Sequence, residues 1–445
     1  MQEACIGTKD INVVSFKMLV DIYSTTAPAA VAFGFVMNRK IILLVLLTSW
    51  FVPKIAAQNI FNAPYSVYGI GMIHDRQSSL NSSMGGTGIG VQDGFNLNHA
   101  NPASYGAIQQ PINHIYEIGF YTESNRLSTR TTSESHAGGG LTHINYWFRF
   151  KPWWSATAGL SPYSSVSYNI TTKRELGSGT DVPYTYSGNG NISSLYMGNS
   201  FKLSPNLLAG INVSYLFGAI TKDETIELST GAMTFSRKIT ARKLTVDAGL
   251  QYKIKIGDRS LVLGAVADNG VTLNGRVSHS LYTENADTLE SGNGKAQTYK
   301  IPASAGFGFG LHAKRSIIAM DLRFKNWQQA SFANEDVVFQ NTWKLSAGYQ
   351  YKGNPDATSY LGLISLRAGA YAQQFQINMK GNNFPVWGYS FGVSMPVFDN
   401  KSSINLTYNF DKLGTTQNGL IQQRSQKIMF EVVIRDLWGV KRKFD

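Results

Sequence analysis

From about residue 114 onward, apolar and polar residues alternate in run after run. In Ser403–Asp411, Ile404, Leu406, Tyr408 and Phe410 fall on one side, and Ser403, Asn405, Thr407, Asn409 and Asp411 on the other. Successive side chains of a β-strand point to opposite faces, so each run has one apolar and one wet face. TWKLSAGYQYK (341-352 region) and VWGYSFGVSM (386-397 region) repeat the pattern. Fourteen such segments lie near residues 114–123, 140–150, 153–169, 190–203, 207–219, 238–256, 260–271, 299–312, 316–325, 341–352, 361–374, 386–397, 402–411 and 425–435. Many reach ten residues, longer than the roughly five or six of a soluble strand. A tilted strand needs about 9–11 residues to cross a bilayer.

The connections sharpen the picture. Tight turns at Lys151–Trp153, Ser204–Asn206, Gly257–Arg259, Ala313–Arg315 and Asp399–Lys401 alternate with long polar stretches. The latter are Ser124–Gly139, Thr171–Asn189, Ile220–Arg237, Thr272–Thr298 and Asn326–Gln340. Outer-membrane barrels segregate short periplasmic turns and long outer loops in this way. The chain is therefore expected to be all-β, a transmembrane antiparallel barrel of about fourteen strands, with lipid against its apolar faces.

Composition agrees. Charged residues make up 15 %, below the roughly 25 % of an average soluble protein. The chain has 43 Gly and 12 % aromatic residues, while its mean hydropathy of -0.14 excludes a helical membrane bundle. MNRKIILLVLLTSWFVPKIAAQ carries basic Arg39 and Lys40, a short apolar run and small residues before Gln58, the layout of a secretory leader. Residues 1–36 then read as an extension upstream of the natural start, and 37–57 as a cleaved signal peptide. Cleavage removes five basic and three acidic residues, taking the net charge from +12 to +10, and also removes the single cysteine, Cys5. No disulfide or thiolate site is expected. Basic residues are dispersed and no nucleic-acid-reading motif occurs, so the expected charged partners are membrane lipid and lipopolysaccharide.

Residues 58–113 lack the alternation and read as a plug, or hatch, for the lumen, followed by the barrel at 114–435 and a periplasmic tail at 436–445. GGTGIG (Gly85–Gly90) lacks the Lys-Ser/Thr and the strand–helix frame of a nucleotide loop. Asn101-Pro102 has the form of a helix start, Asn capping and Pro in the first position.

GGTGIGVQDGFNLNHANPASYG resembles the segment before the first strand of the FadL-type outer-membrane transporters and their relatives. The resemblance implies a barrel with an N-terminal hatch in the outer membrane. It implies passive uptake of a hydrophobic or amphipathic small molecule, such as a long-chain fatty acid or hydrocarbon. One branch instead supplies a barrel subunit to protein-secretion machinery, which makes outer-membrane proteins the alternative partners. Asn101, Pro102 and Ala103 match the hatch motif. Pro162, in the third strand, stands where relatives open the wall sideways to lipid. Pro donates nothing to a ladder and marks an edge or bulge.

Inward charges, including Glu117, Arg149 and Arg367, are expected to pair with one another and tie hatch to wall. Arg149, Arg367 and Glu117 are also candidate lumen contacts for a substrate head group. The seven histidines show no metal-binding spacing and no nucleophile motif is present, so neither metal, cofactor nor enzymatic activity is expected.

Overall fold

The computed structural model describes residues 62–436, apart from 177–179, 230, 286, 333–337, 379–380, 382–384 and 398–401. The expected leader, the extension before it and most of the tail lie outside the described residues. Fourteen antiparallel strands form one closed barrel: β1 (His114–Ser128), β2 (Ser133–Lys151), β3 (Trp154–Leu176), β4 (Thr180–Lys202), β5 (Leu207–Leu228), β6 (Gly231–Ile256), β7 (Arg259–Asp268), β8 (Ser304–His312), β9 (Ser316–Lys325), β10 (Thr342–Tyr351), β11 (Ser365–Gln374), β12 (Pro385–Val397), β13 (Ser402–Leu413) and β14 (Gln422–Asp436). Each pairs with the next, and β14 returns to β1 in register from His114↔Asp436 to Ser128↔Gln422. Closure leaves no sheet edge in hydrocarbon around most of the wall.

The alternation reads out as expected, apolar side to lipid. Ile318, Met320, Leu322 and Phe324 of β9 are exposed, while Ile317, Ala319 and Asp321, which alternate with them, are buried. On β13, Ser403, Asn405 and Thr407 are the buried set. A barrel of this kind is inverted relative to a soluble protein, its interior being the polar side.

The long outer stretches differ from expectation. Residues read as loops at 124–139, 171–189 and 220–237 continue as paired strands, so that β3 and β4 stay in register out to Leu176↔Thr180 and β5 and β6 to Leu228↔Gly231. Residues 272–298 contain the antiparallel hairpin of Val271–Thr283 with Thr288–Asn293. Beyond the membrane both faces of a ribbon are wet, so pairing persists without apolar alternation to announce it. The exception is the 326–340 stretch, whose described residues form a 3₁₀ turn at Trp327–Gln329 and two-residue strands.

Phe307, 67 % exposed in the middle of β8 between Ala265 and Leu322, faces lipid. Phe307→Arg is expected to destabilise the folded barrel by about 2–4 kcal/mol. The check is its urea midpoint in lipid vesicles, read from the fraction that keeps the compact electrophoretic mobility.

Candidate functional site: the N-terminal segment and the wall around it

Residues 62–113 form only short elements: a 3₁₀ turn at Pro64–Val67, a helical turn at Ser79–Ser82 and a 3₁₀ helix at Pro102–Ala107. The segment starts in the outer half, where Asn125 Nδ2 donates to Asn62 O at 2.7 Å and Asn62 Nδ2 to Asn169 O at 3.1 Å. It ends at the short-turn side, where Arg149 Nη2 donates to Ile108 O at 2.5 Å. With so little secondary structure, its backbone groups depend on the wall for partners.

The wall approaches it through glycine. A Cβ on Gly264 would stand 2.0 Å from Ile89 O, on Gly249 2.1 Å from Asn101 Oδ1, on Gly369 2.1 Å from Met84 C, and on Gly210 2.3 Å from Pro102 C. The glycine-rich composition is thus partly a packing device at inward positions. Inside the segment, Gly85 and Gly86 have φ of 69° and 82°, values that L side chains adopt at a cost. The turn they make presents Gly88 N and Ile89 N to Asp321 Oδ2 at 2.6 and 2.8 Å. GGTGIG therefore does present its amides to an acidic group, and that group is the Asp321 carboxyl of the wall.

Asn101 caps the 3₁₀ helix by accepting from Ala103 N at 3.0 Å, and its Nδ2 donates to Ile89 O at 3.0 Å and Leu250 O at 3.1 Å. Gln251 Nε2 donates to Ile89 O and Val91 O at 2.9 and 3.1 Å. Arg435 reaches Phe95 O at 2.5 Å and Asn96 Oδ1 at 2.6 Å. Two carboxylates of the segment meet wall cations. Lys344 Nζ, 2.9 Å from Asp75, holds that carboxyl well below its usual range. Burial works against ionisation of Asp93, but Lys352 at 3.8 Å and the amides of Phe95 and Asn96 at 2.8 and 3.1 Å outweigh it.

The wall is interrupted beside this segment. The ladder between β2 and β3 ends at Ile144↔Leu160; above it β2 pairs only with β1, while β3 continues with β4. Pro162 lies two residues past the last pair, and a bulge follows it on the β4 side. Met72–Ile73 of the N-terminal segment fills in, pairing antiparallel with Ser165 and Ser164, and His74 N donates to Tyr163 O at 2.9 Å. Behind them Ile70, Val166, Ile192, Leu216, Ile220 and Leu273 form an apolar cluster, each at most 2 % exposed.

The other candidate residues are not gathered at this break. Arg149 serves the Ile108 carbonyl at the opposite end and lies 5.4 Å over the Trp147 ring. Trp147, beside it on β2, points inward, fully buried, and donates Nε1 to Tyr105 O at 3.1 Å. Arg367 is buried on β11, with Nε and Nη1 lacking hydrogen-bond partners. Glu117 sits in a buried group with His99 at 3.1 Å and Asn145 at 3.2 Å, beside His143 and Glu431. Sequence reading missed this group: the β1–β2 hairpin brings Glu117, His143 and Asn145 together, the N-terminal segment adds His99, and barrel closure between β14 and β1 adds Glu431.

Gly264→Val should force the segment away from the wall at a cost of about 1–3 kcal/mol while leaving the strands paired. Limited proteolysis should then cut within residues 62–113 while the barrel keeps its compact mobility. A second expectation concerns pH. The carboxyls of Asp75 and Asp93 are depressed in the folded state, so their stabilisation is present above the ordinary carboxylate value of about 4 and is lost as pH falls below it. Protection of residues 62–113 against hydrogen exchange, corrected for the intrinsic exchange rate at each pH, should fall progressively as pH drops below about 4; Asp93→Asn should show weaker protection already at neutral pH.

Solved structures of similar fold include two toluene transporters and a FadL homologue. The toluene transporter TodX of Pseudomonas putida superposes with a TM-score of 0.58 at 18 % identity, covering 82 % of this chain and 99 % of that one. The toluene transporter TbuX of Ralstonia pickettii gives 0.57 at 14 % identity, covering 81 % and 98 %. A FadL homologue of Pseudomonas aeruginosa gives 0.55 at 11 %, covering 82 % and 99 %. At these identities the likeness is one of fold, the FadL-type barrel of the Gram-negative outer membrane. Comparison with curated proteins gives no match. A family model described as BamG matches residues 37–445, almost the whole of the sequence, and the chain accordingly belongs to the BamG family.

Proposed function

We propose that this outer-membrane barrel works as a non-transporting subunit that holds partner proteins in an outer-membrane secretion or assembly complex. One observation carries the reading: the space behind the break at Leu160–Pro162 is occupied by the chain's own apolar side chains and stoppered by Met72–Ile73. A path through the wall would require unpairing that short strand and separating a cluster already out of water. Removing apolar area from water contributes about 25 cal/mol per Å², so reopening it is costly. The residues 62–113 then act as a fixed plug, with Asn101, Pro102 and Ala103 as its clasp on β5 and β6, and the paired outer ribbons offer rigid surface above the membrane. Lipopolysaccharide would lie against the basic outer residues.

A second reading is favoured by the break itself. Passive uptake of a hydrophobic or amphipathic small molecule, fatty-acid- or hydrocarbon-like, would use the side opening at Pro162 and the apolar cluster behind it. TodX and TbuX are toluene transporters, and CymD is a monoaromatic hydrocarbon channel. In that reading Arg149, Arg367 and Glu117 would meet a polar head group. Both readings are non-enzymatic.

Native mass spectrometry of the chain extracted gently from outer membranes separates them. The subunit reading expects co-migrating outer-membrane proteins and no small-molecule adduct. It also expects those partners to remain when a disulfide between Ile73→Cys and Ser164→Cys locks the stopper. An apolar adduct on the unlocked barrel, absent from the locked one, would overturn it in favour of uptake.

A further inference from the structure

Where the barrel closes, β1, β2 and β14 direct three ionisable side chains to one buried point. In register, Gly119 of β1 stands between His143 of β2 and Glu431 of β14, with Glu117 two residues along. Gly119 leaves the space that the group occupies, since a Cβ there would stand 2.9 Å from His143 Cε1. His143 Nε2 is 3.1 Å from Glu431 Oε2 and 3.9 Å from Glu117 Oε2, and the three ligand atoms all lie within 4.8 Å of one another. Each side chain is at most 2 % exposed.

The details have the features of a metal-ligand set. His143 Nε2 makes no well-directed hydrogen bond despite its two acidic neighbours. Its Nδ1 lies 3.1 Å from Thr142 Oγ1, and donation from Nδ1 to that hydroxyl leaves the Nε2 lone pair facing the carboxylates. Metal-bound imidazoles are commonly held by such an outer hydrogen bond on the other nitrogen. Both carboxylates are oriented as well: Glu431 accepts from Asn405 Nδ2 at 2.7 Å and Ser79 N at 2.8 Å, and Glu117 from Asn145 Nδ2 at 3.2 Å. The nearby Arg435 spends its donors on Phe95, Asn96 and Ser403, so it does not cap either carboxylate. Tetrahedral ligands at bond lengths of about 2.0–2.2 Å stand about 3.4 Å apart, between the two measured separations.

We propose that Glu117, His143 and Glu431 bind one divalent zinc-like transition-metal ion, which clamps the barrel seam and, through Glu431 and Ser79, the N-terminal segment. One imidazole and two carboxylates are a donor set of that class. His99, 3.1 Å from Glu117, borders the group. The ion is structural, and the assignment is independent of whether the barrel transports or holds partners.

The test uses the full chain refolded into detergent micelles with Zn²⁺ or Co²⁺, desalted, and analysed for metal by mass spectrometry. About one ion per folded chain is expected, falling at least about tenfold in the Glu117→Gln/Glu431→Gln double variant and persisting in Glu134→Gln, which alters an exposed outer residue. Heat-dependent mobility on gels reports that each variant has folded. Should the double variant not fold, the Co²⁺ form of the unaltered chain decides: visible bands of a four-coordinate nitrogen and oxygen site support the assignment. A folded, unaltered chain that retains no metal, or gives only the spectrum of hydrated Co²⁺, overturns it. Equal metal content in the folded double variant would overturn it too.

Discussion

Fourteen strands enclose a lumen too wide for their own side chains to fill. The filling segment must itself have its backbone polar groups satisfied, away from bulk water. Residues 62–113 meet this constraint without a long helix and with no strand beyond the two residues Met72–Ile73 among those described. Their carbonyls and amides are taken up by the wall side chains Asp321, Gln251, Arg149 and Arg435. An unpaired buried group costs about 1–3 kcal/mol, so the loss of several such contacts would erode much of a typical folding stability. The rest of the structure follows from this exchange of hydrogen bonds between an irregular chain and a regular wall.

Such contacts demand close approach, and inward glycines permit it. Where the segment's backbone lies against β5, β7 or β11, Gly210, Gly264 and Gly369 stand at the contact. Elsewhere the wall sends in long polar side chains to meet carbonyls that glycine could not reach. Glycine and amide- or guanidinium-bearing residues thus divide one task, and the low fraction of charged residues reflects a lumen built mainly for neutral hydrogen bonding, with carboxylates retained where an amide pair or a cation receives them.

The fold was largely legible because lipid enforces a period of two. The strand number, the outward face and the start of the barrel near His114 all followed from that rule. It ceases to apply above the membrane, which is why paired ribbons such as Leu176↔Thr180 read as loops. The candidate site was legible only where chemistry is local. Asn101-Pro102 announced its own cap, whereas the Glu117–His143–Glu431 group spans nearly the whole barrel sequence and exists only because β14 closes onto β1. No spacing rule could have found it. The role of GGTGIG was half legible: a nucleotide was excluded, but nothing local pointed to Asp321 of a strand more than two hundred residues away.

The height of the wall break constrains what it can serve. Strands tilted by about 40° climb roughly 2.5 Å per residue, so Leu160, about eight residues above the short turn, stands roughly 20 Å above it. An outward apolar band about 25 Å tall would place the break in the outer part of the hydrocarbon slab. Unpaired edge groups there would be costly, which accounts for the pairing of Met72–Ile73 with β3 at that level. The same height directs the break toward the outer leaflet and away from the periplasm. Whatever meets this wall at the break therefore does so from within the membrane or from its outer surface.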